Sequence, residues 1–210
     1  MARPPLTRRR LLGLDRSGPP PPETLHTQPL HPWTLPNAVG FVRLALIPAF
    51  LALALSSGDG RDALATVLFA VVAASDYLDG LLARVTGQYS RLGALLDPLT
   101  DRLLVLSGAL VAWHFELLPR WALAVLAVRE VLMLALTRLA LRDGMELQIN
   151  SLGRWAVWPT MSAFGLAMMV ETPISEAILY LGLTMTLAAT AIYMQDGWRE
   201  LRNSAPSTSS

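Results

Sequence analysis

Six long apolar segments dominate the sequence and constrain its fold class more than any other feature. A helix needs about 20 mostly apolar residues to cross a bilayer, where only helices and closed barrels satisfy their own backbone hydrogen bonds. The segments take up most of the 210 residues, of which 53% are hydrophobic and 16% are charged. They are residues 37–55, 63–82, 92–115, 121–141, 155–170 and 174–194. The sequence therefore predicts an all-α, polytopic membrane protein with a bundle of six transmembrane helices.

The flanking segments differ in composition from the apolar part. Residues 1–32 are basic and rich in proline, and we expect a disordered cytoplasmic tail there. Residues 33–197 form the predicted six-helix transmembrane domain. Its order is expected to begin around Trp33, Thr34 and Leu35, with Pro36 in the first helical turn, where a missing N–H costs little. Residues 198–210 are predicted to be a short disordered C-terminal tail.

Charge and cysteine content exclude several classes of function. The formal net charge is only +1, so a nucleic-acid partner has no electrostatic support. The chain contains no cysteine, which excludes disulfides and thiolate metal sites. What remains is a membrane domain whose chemistry depends on oxygen and nitrogen side chains.

The distribution of arginine predicts the orientation, because cytoplasmic loops of membrane proteins are enriched in basic residues. With the N-terminus inside, the basic tail and five further arginines fall on the cytoplasmic side. The opposite side receives two arginines and five acidic residues. We therefore expect a multi-pass protein of the cell (inner or plasma) membrane, with both termini and the loop at residues 85–91 in the cytoplasm. The five cytoplasmic arginines are Arg84, Arg91, Arg142, Arg199 and Arg202.

Four aspartates interrupt the second and third apolar segments. An aspartate at the centre of a membrane helix costs roughly 2.5–3.5 kcal/mol on insertion scales, so four of them are not expected without a function. Residues three or four apart are neighbours on one face of a helix. By this spacing, one face of the second helix carries Asp76, Asp79, Gly80 and Ala83, and one face of the third carries Gly93, Asp97 and Asp101.

The two faces are predicted to meet near the cytoplasmic helix ends, because a short loop makes the helices antiparallel neighbours. Four carboxylates converging from two helices form an oxygen-rich site suited to Mg²⁺ or Mn²⁺. Two such ions about 4 Å apart can clamp a pyrophosphate and stabilise its attacking and leaving oxygens. Gly80, Ala83 and Gly93 leave room for a bulky ligand, and Arg84 offers a fixed charge for phosphate. The pattern favours phosphoryl chemistry at a membrane surface.

This constellation resembles the signature of the CDP-alcohol phosphatidyltransferase family. The stretch DYLDGLLAR, from Asp76 to Arg84, is followed by eight residues and then by GALLDPLTD, from Gly93 to Asp101. All eight fixed positions of the pattern D-x2-D-G-x2-A-R-x8-G-x3-D-x3-D are present at the right spacings. An LPN opening at residues 35–37, followed by Arg43, extends the resemblance over residues 33–197.

The resemblance implies a six-helix bundle of that family's type, usually dimeric, with a polar cavity open to the cytoplasm. Members transfer a phosphatidyl group from CDP-diacylglycerol, or a related group from another CDP-alcohol, to an acceptor alcohol and release CMP. By resemblance, the partners are these two substrates, membrane lipids and a second copy of the chain. The resemblance implies that two divalent metals are held by Asp76, Asp79 and Asp97. It implies that Asp101 completes the metal site and acts as the base for the acceptor hydroxyl. The residues implied to lie against the cytidine diphosphate are Gly80, Ala83, Arg84 and Gly93.

The acceptor is suggested by further arginines. Arg129, Arg138 and Arg154 place positive charge in or beside the later segments, which favours an anionic acceptor. The stretches VRE and LGR resemble the branch of phosphatidylglycerophosphate synthases and actinobacterial-type cardiolipin synthases. We expect glycerol 3-phosphate as the acceptor, and phosphatidylglycerol is the alternative. Synthases that use glycerol 3-phosphate usually carry G-K-x-K-T where this chain has GRWAV, so their second lysine has no counterpart.

The sequence is also compatible with several structural and functional alternatives. A carboxylate-lined ion transporter needs acidic or interrupted helices in both halves, whereas the dense cluster occurs once. A membrane prenyltransferase also uses aspartate and Mg²⁺, but with two separate aspartate-rich motifs. The pair Arg129 and Glu130 is equally compatible with a structural ion pair. Arg43, Arg138 and Arg154 are compatible with side chains that extend to the membrane interface.

Overall fold

The computed structural model describes residues 33–142 and 151–204. Within these ranges it leaves out the side chains of Asp79 and of residues 137–142, 151–154 and 196–204. Along the described residues the chain forms six α-helices and no strand, which confirms the predicted all-α class. The helices are α1 (Leu35–Ser56), α2 (Ala63–Thr86), α3 (Arg91–His114), α4 (Arg120–Arg142), α5 (Ser151–Met169) and α6 (Pro173–Ser204).

Each predicted apolar segment corresponds to one of these helices. Three stretches of the described chain are long and apolar enough to cross a membrane: Leu35–Ser56, Ala63–Thr86 and Pro173–Gln195. Of the remaining helices, α3 contains the charged residues Asp97, Asp101 and Arg102, and α4 and α5 extend into residues whose side chains the structure does not describe. The helical nature of all six segments is thus confirmed, and six membrane crossings remain a prediction.

Local side chains explain where the first helices begin and end. The Thr34 hydroxyl caps α1 by accepting a hydrogen bond from the backbone N–H of Asn37 at 3.4 Å, and Pro36 lies in the first turn as predicted. The Asp62 carboxylate caps α2 by accepting from a backbone N–H at 2.7 Å. Gly87 ends α2 with a φ of 65°, a left-handed conformation that favours glycine. The turn at Gly87 thus begins the short connection that leads from α2 into α3.

The described chain divides into two compact units. The first contains residues 33–58 and 62–107, which comprise α1, α2 and most of α3. The second contains residues 59–61 and 108–204, which comprise the end of α3 and the helices α4, α5 and α6. All eight positions of the aspartate signature fall in the first unit.

In the first unit, α1 and α2 form an antiparallel helical hairpin. Phe50 of α1 packs on Phe69 of α2 with the ring centroids 5.2 Å apart. Closer to the start of α1, Arg43 contacts Asp76, closer to the end of α2. Residue numbers therefore rise along one helix as they fall along the other, and the apolar core lies toward the α1–α2 turn. Further buried residues of this core are Ile47, Ala54 and Val72.

The third helix of this unit runs in the same direction as α1. Asn37, near the start of α1, contacts Ser90, which directly precedes α3. Two turns further along α1, Arg43 contacts Asp101, three turns into α3. This parallel register places the aspartates of α3 beside the same part of α1 that faces Asp76.

In the second unit, α6 packs against both α5 and α4. A Cβ atom on Gly182 of α6 would lie only 2.5 Å from Thr160 Oγ1 and 2.9 Å from the Thr160 backbone nitrogen, so glycine permits the close approach of α5. Trp121 of α4 stacks on Tyr180 of α6 with the ring centroids 5.4 Å apart. The last helix continues to Ser204, into the stretch expected to be a tail, because residues 199–202 (RELR) are good helix formers.

Large apolar side chains are exposed along the helices of both units. In α2 these include Val67, Val71 and Leu78, and Val128 of α4 is 69% exposed. A water-soluble protein rarely exposes contiguous apolar surface on this scale. The outward-facing apolar side chains are instead suited to contact with lipid.

Candidate active site

Arg43 of α1 brings the aspartates of α2 and α3 together. Its Nη1 donates a hydrogen bond to Asp76 Oδ1 at 3.2 Å, and its Nη2 donates to Asp101 Oδ1 at 2.8 Å. The Arg43 side chain is only 1% exposed, so it is buried against these carboxylates instead of extending to the surface of the protein. One guanidinium thus joins two of the carboxylates that the sequence places on different helices.

The carboxylates themselves remain accessible. The Asp76 side chain is 47% exposed and the Asp101 side chain is 34% exposed, in contrast to the buried guanidinium that they share. Asp97 lies one turn before Asp101 on α3 and is half-buried. A ligand that approaches this part of the first unit therefore meets carboxylate oxygens before it meets Arg43.

A second cation lies beside the aspartate face of α2. A Cβ atom on Gly80 would lie 3.3 Å from Arg84 Nη1 and 3.7 Å from Arg84 Nη2. The guanidinium of Arg84 therefore lies over Gly80, one turn earlier on the same helix, and a larger residue at position 80 would press on it. Ala83, beside Arg84, is half-buried. In this structure the space at Gly80 accommodates a fixed positive charge.

At the start of α3, Gly93 packs against a polar group of α1. The Ser90 hydroxyl donates a hydrogen bond to Asn37 Oδ1 at 2.8 Å and accepts one from the Gly93 N–H at 2.9 Å. A Cβ atom on Gly93 would lie 2.7 Å from Asn37 Oδ1. The space beside Gly93 is therefore filled by Asn37, which is 2% exposed, and glycine at this position permits the contact between α1 and α3.

A family model provides the decisive comparison for this arrangement. The model of the CDP-alcohol phosphatidyltransferases matches residues 33–188, which include the three helices of the first unit and every residue of the signature. The chain belongs to the CDP-alcohol phosphatidyltransferase family. Proteins of this family are membrane proteins and use CDP-diacylglycerol, an alcohol acceptor and, in general, divalent metal ions.

Relatives in the family carry names that describe two different activities. The chain is 41% identical over 142 residues to a protein of Streptomyces coelicolor named cardiolipin synthase (CMP-forming), a match that covers 66% of each chain. It is 36% identical over 132 residues to a putative cardiolipin synthase of Mycobacterium tuberculosis, covering 62% of each chain. It is 26% identical over 191 residues to CDP-diacylglycerol--glycerol-3-phosphate 3-phosphatidyltransferase of Bacillus subtilis, covering 82% of this chain and 99% of that enzyme. The chain thus spans just under two thirds of the Streptomyces protein.

The side chains of the first unit fit the metal ions that this family generally uses. The donors contributed by Asp76, Asp97 and Asp101 are carboxylate oxygens, which hard divalent cations prefer. Among the side chains that the structure describes, no group of three acidic or histidine residues converges closely enough to form a metal site by itself. Asp79, the fourth predicted ligand, has its side chain outside the described part. The donor chemistry therefore fits, and the ligand set remains a prediction.

In the second unit, Arg129 is engaged in contacts within the protein. Its Nη1 donates a hydrogen bond to Glu130, and its Nε donates to Thr190 Oγ1 of α6 at 2.9 Å. The Thr190 hydroxyl in turn donates to the backbone carbonyl of Thr186 at 2.9 Å. The Glu130 side chain is 7% exposed. The contacts of Arg129 therefore match the structural ion-pair alternative, while the side chains of the other two acceptor candidates, Arg138 and Arg154, lie outside the described residues.

The site contains two polar residues of α1 to which the sequence assigned no role. Asn37 and Arg43 belong to the LPN…R opening, but their partners in α3 and α2 could not be identified from spacing alone. The signal was the face they share: Asn37, Gly40, Arg43 and Ile47 follow one another at intervals of three or four and are all buried. A buried face that carries both an arginine and an asparagine requires polar partners, and the spacing of these residues was available in the sequence.

Proposed function

We propose that this chain is a CDP-diacylglycerol-dependent phosphatidyltransferase, which joins the phosphatidyl group to a glycerol-type alcohol and releases CMP. The observation that carries the proposal is the convergence of Asp76 and Asp101, from two helices, on the single guanidinium of Arg43 within the family signature. The convergence brings accessible carboxylates from both halves of the signature to one place, as phosphoryl chemistry at a shared metal site requires.

In the proposed reaction, the acceptor hydroxyl oxygen forms a bond to the phosphatidyl phosphorus while the bond from that phosphorus to the CMP oxygen breaks. Asp101 accepts the hydroxyl proton, and CMP leaves with the electron pair of the broken bond. We assign Asp76, Asp79 and Asp97, together with Asp101, as the ligands of two Mg²⁺ or Mn²⁺ ions. When bound, such ions neutralise the pyrophosphate and stabilise the charge on the attacking and leaving oxygens.

The remaining signature residues are proposed to hold the cytidine diphosphate. Arg84 supplies a permanent positive charge for a phosphate, and its position over Gly80 places this charge on the aspartate side of α2. The short side chain of Ala83 leaves space beside α2, so that the nucleotide can approach the helix. Gly93 contributes by allowing the close contact of α3 with Asn37 of α1, which holds the start of α3 in place beside the nucleotide.

For the acceptor, we favour phosphatidylglycerol, which makes the product cardiolipin. The arginines that led us to expect an anionic acceptor do not separate the two candidates, because both carry a phosphate, and one of them, Arg129, is engaged with Glu130 and Thr190. The relatives with 41% and 36% identity are named cardiolipin synthase and putative cardiolipin synthase. A lipid acceptor also explains why the second lysine of the G-K-x-K-T stretch has no counterpart here.

Glycerol 3-phosphate remains the second candidate because of one specific match. The Bacillus subtilis enzyme named for this acceptor aligns over 99% of its own length, further than either synthase named above. In both cases we propose a homodimer in the cell (inner or plasma) membrane, with the active site and both termini facing the cytoplasm, where CDP-diacylglycerol and soluble acceptors are available.

Product analysis tests the function and separates the two acceptors. Purified protein in lipid nanodiscs is incubated with Mg²⁺ or Mn²⁺, CDP-diacylglycerol and either phosphatidylglycerol or glycerol 3-phosphate, and lipids and CMP are measured by mass spectrometry. We expect cardiolipin and an equal amount of CMP from phosphatidylglycerol. Asp97→Asn is the inactive control, and Arg120→Gln, at an exposed ion pair, is the matched active control. If no CMP is released with either acceptor, the proposed function is excluded. If only glycerol 3-phosphate is turned over, it replaces phosphatidylglycerol as the proposed acceptor.

A further inference from the structure

A nearly buried arginine that contacts two accessible carboxylates has a specific energetic consequence. Arg43 is 1% exposed, and burying a guanidinium is costly unless opposite charges and hydrogen bonds compensate it. Asp76 and Asp101 provide this compensation from α2 and α3. Conversely, the carboxylates of the two helices repel one another, and the guanidinium between them offsets this repulsion. Each partner is therefore stabilised by the presence of the other.

The geometry argues against a direct contact between Arg43 and substrate phosphate. A phosphate ligand must be reachable from the open side of a site, and the accessible groups there are the carboxylates of Asp76, at 47% exposure, and Asp101, at 34%. Arg84, which is half-buried, is the cation of α2 that lies on the aspartate side. Arg43 therefore acts behind the carboxylates.

The helix that carries Arg43 is itself held in register with α3. Six residues before Arg43, the buried Asn37 accepts a hydrogen bond from Ser90 at 2.8 Å, and Ser90 accepts from the N–H of Gly93 at 2.9 Å. Between these contacts, a Cβ atom on Gly40 would lie 3.9 Å from Leu96, so α1 packs against α3 there as well. Because α1 is held at these points, contacts within the protein define the position of the guanidinium.

We propose that Arg43 is the positioning residue of this active site, acting as the permanent counter-charge that holds the carboxylates of α2 and α3 together in the absence of metal. This role deepens the proposed function, on which it rests for its catalytic meaning. By orienting Oδ1 of Asp76 and Oδ1 of Asp101, Arg43 presents both carboxylates in one defined arrangement to the divalent ions and the nucleotide.

The proposal distinguishes the charge of Arg43 from its shape. A guanidinium is a planar fork whose two Nη atoms contact two acceptors at once, whereas a lysine ammonium is a single point charge on a flexible stem. Arg43→Lys should therefore keep much of the metal-free stability but hold only one carboxylate well. Arg43→Gln should lose the charge as well as the fork.

Thermal unfolding with and without metal provides the test, and it requires no substrate. Wild type, Arg43→Gln, Arg43→Lys and the control Arg120→Gln are unfolded in EDTA and in saturating Mg²⁺. In EDTA we expect Arg43→Gln to lower Tm by roughly 10 °C, Arg43→Lys to lower it by less, and the exposed control to change it little. In Mg²⁺ the deficit of Arg43→Gln should shrink by at least half, since the divalent ions replace the missing charge. An equal deficit in both buffers would overturn the proposal, because a residue that only fills space is insensitive to metal.

A double variant provides a second test that applies even if Arg43→Gln does not fold. Arg43→Gln combined with Asp101→Asn removes one of the unmatched carboxylate charges, so its Tm in EDTA should be higher than that of Arg43→Gln alone. Recovery of folded protein supports the counter-charge, and a double variant as unstable as the single one overturns it. Failure of the wild type to transfer a phosphatidyl group would instead refute the proposed function, whereas the unfolding results would still show whether Arg43 holds the two helices together.

Discussion

Gly93 and Asn37 are fitted to each other across α1 and α3: a Cβ atom at position 93 would lie 2.7 Å from Asn37 Oδ1. The amide oxygen cannot simply move away, because it accepts the hydrogen bond from Ser90 and the residue is 2% exposed. A signature glycine that the sequence assigned to nucleotide binding thus has a packing partner within the protein. The same contact sets the start of the helix that carries Asp97 and Asp101.

Replacing this glycine is expected to destabilise the protein. Gly93→Ala forces a methyl group against Asn37, and overpacking of this kind costs about 1–3 kcal/mol, or a fall in Tm of roughly 5 °C. The matched control is Gly165→Ala in α5, where a Cβ would meet no atom within 4 Å, so that Tm should stay constant or rise. Combining Gly93→Ala with Asn37→Ser should recover part of the loss. Equal melting temperatures of Gly93→Ala and wild type would contradict the fit seen here.

Metal dependence is expected to separate the aspartates by role. EDTA should abolish turnover, and Mg²⁺ or Mn²⁺ should restore it. Asp76→Asn, Asp79→Asn and Asp97→Asn should lose metal-dependent CDP binding together with turnover, since each removes a ligand. Asp101→Asn should keep more of the binding and lose turnover, since its main task is to accept the proton of the acceptor. Titration of nucleotide binding in the presence of metal measures this difference, and an Asp101→Asn variant that binds no better than the others would make Asp101 a plain ligand.

The contacts of Arg129 predict that its loss affects stability. Arg129→Gln leaves Glu130 buried without its cation and removes the hydrogen bond to Thr190, so Tm should fall by roughly 10 °C. Changing both residues, as Arg129→Gln with Glu130→Gln, should recover much of that loss because no unmatched charge remains. If Arg129→Gln instead leaves Tm unchanged and raises the KM for the acceptor, Arg129 binds the acceptor and the structural interpretation is wrong.

Arg154 is expected to behave differently, as a residue that binds the acceptor. It occupies the first cationic position of the G-K-x-K-T stretch, and both candidate acceptors carry a phosphate. Arg154→Ala should raise the KM for the acceptor at least several-fold while leaving the binding of CDP-diacylglycerol nearly unchanged. Steady-state kinetics with each substrate varied in turn measures the two effects. An equal loss of affinity for both substrates would argue for a general structural role.

The orientation in the membrane can be tested with single cysteines, because the natural chain has none. Cysteines at Gln88 and Ser204 should resist an impermeant thiol reagent in intact cells and react after lysis, since both are predicted to face the cytoplasm. Gly58→Cys, in the turn between α1 and α2, is the control on the opposite side and should react in intact cells. The reverse labelling pattern would invert the predicted topology.

Local features of the sequence were sufficient to predict the helices and the signature. The apolar segments form α1 to α6 because the length and hydrophobicity of a segment are local properties of the sequence. The start of α1 at Leu35 is also local, because Thr34 caps the helix and Pro36 lies in its first turn. The faces that carry Asp76 and Asp101 also follow from helical spacing alone. These predictions required no knowledge of how one helix packs on another.

Only the tertiary structure showed which residues meet between helices. Arg43 pairs with Asp76, 33 positions later, and with Asp101, 58 positions later, and such contacts depend on the rotation and register of three helices. An arginine at the interface and an arginine buried against carboxylates look the same in sequence, as do a glycine that makes room for nucleotide and one that makes room for Asn37. Hydropathy determines that a helix forms and which face is polar, whereas the packing of neighbouring helices determines the partner of each polar group. For that reason the chain's family could be recognised from its spacing, while the contacts of Arg43, Gly93 and Arg129 became apparent only in the folded protein.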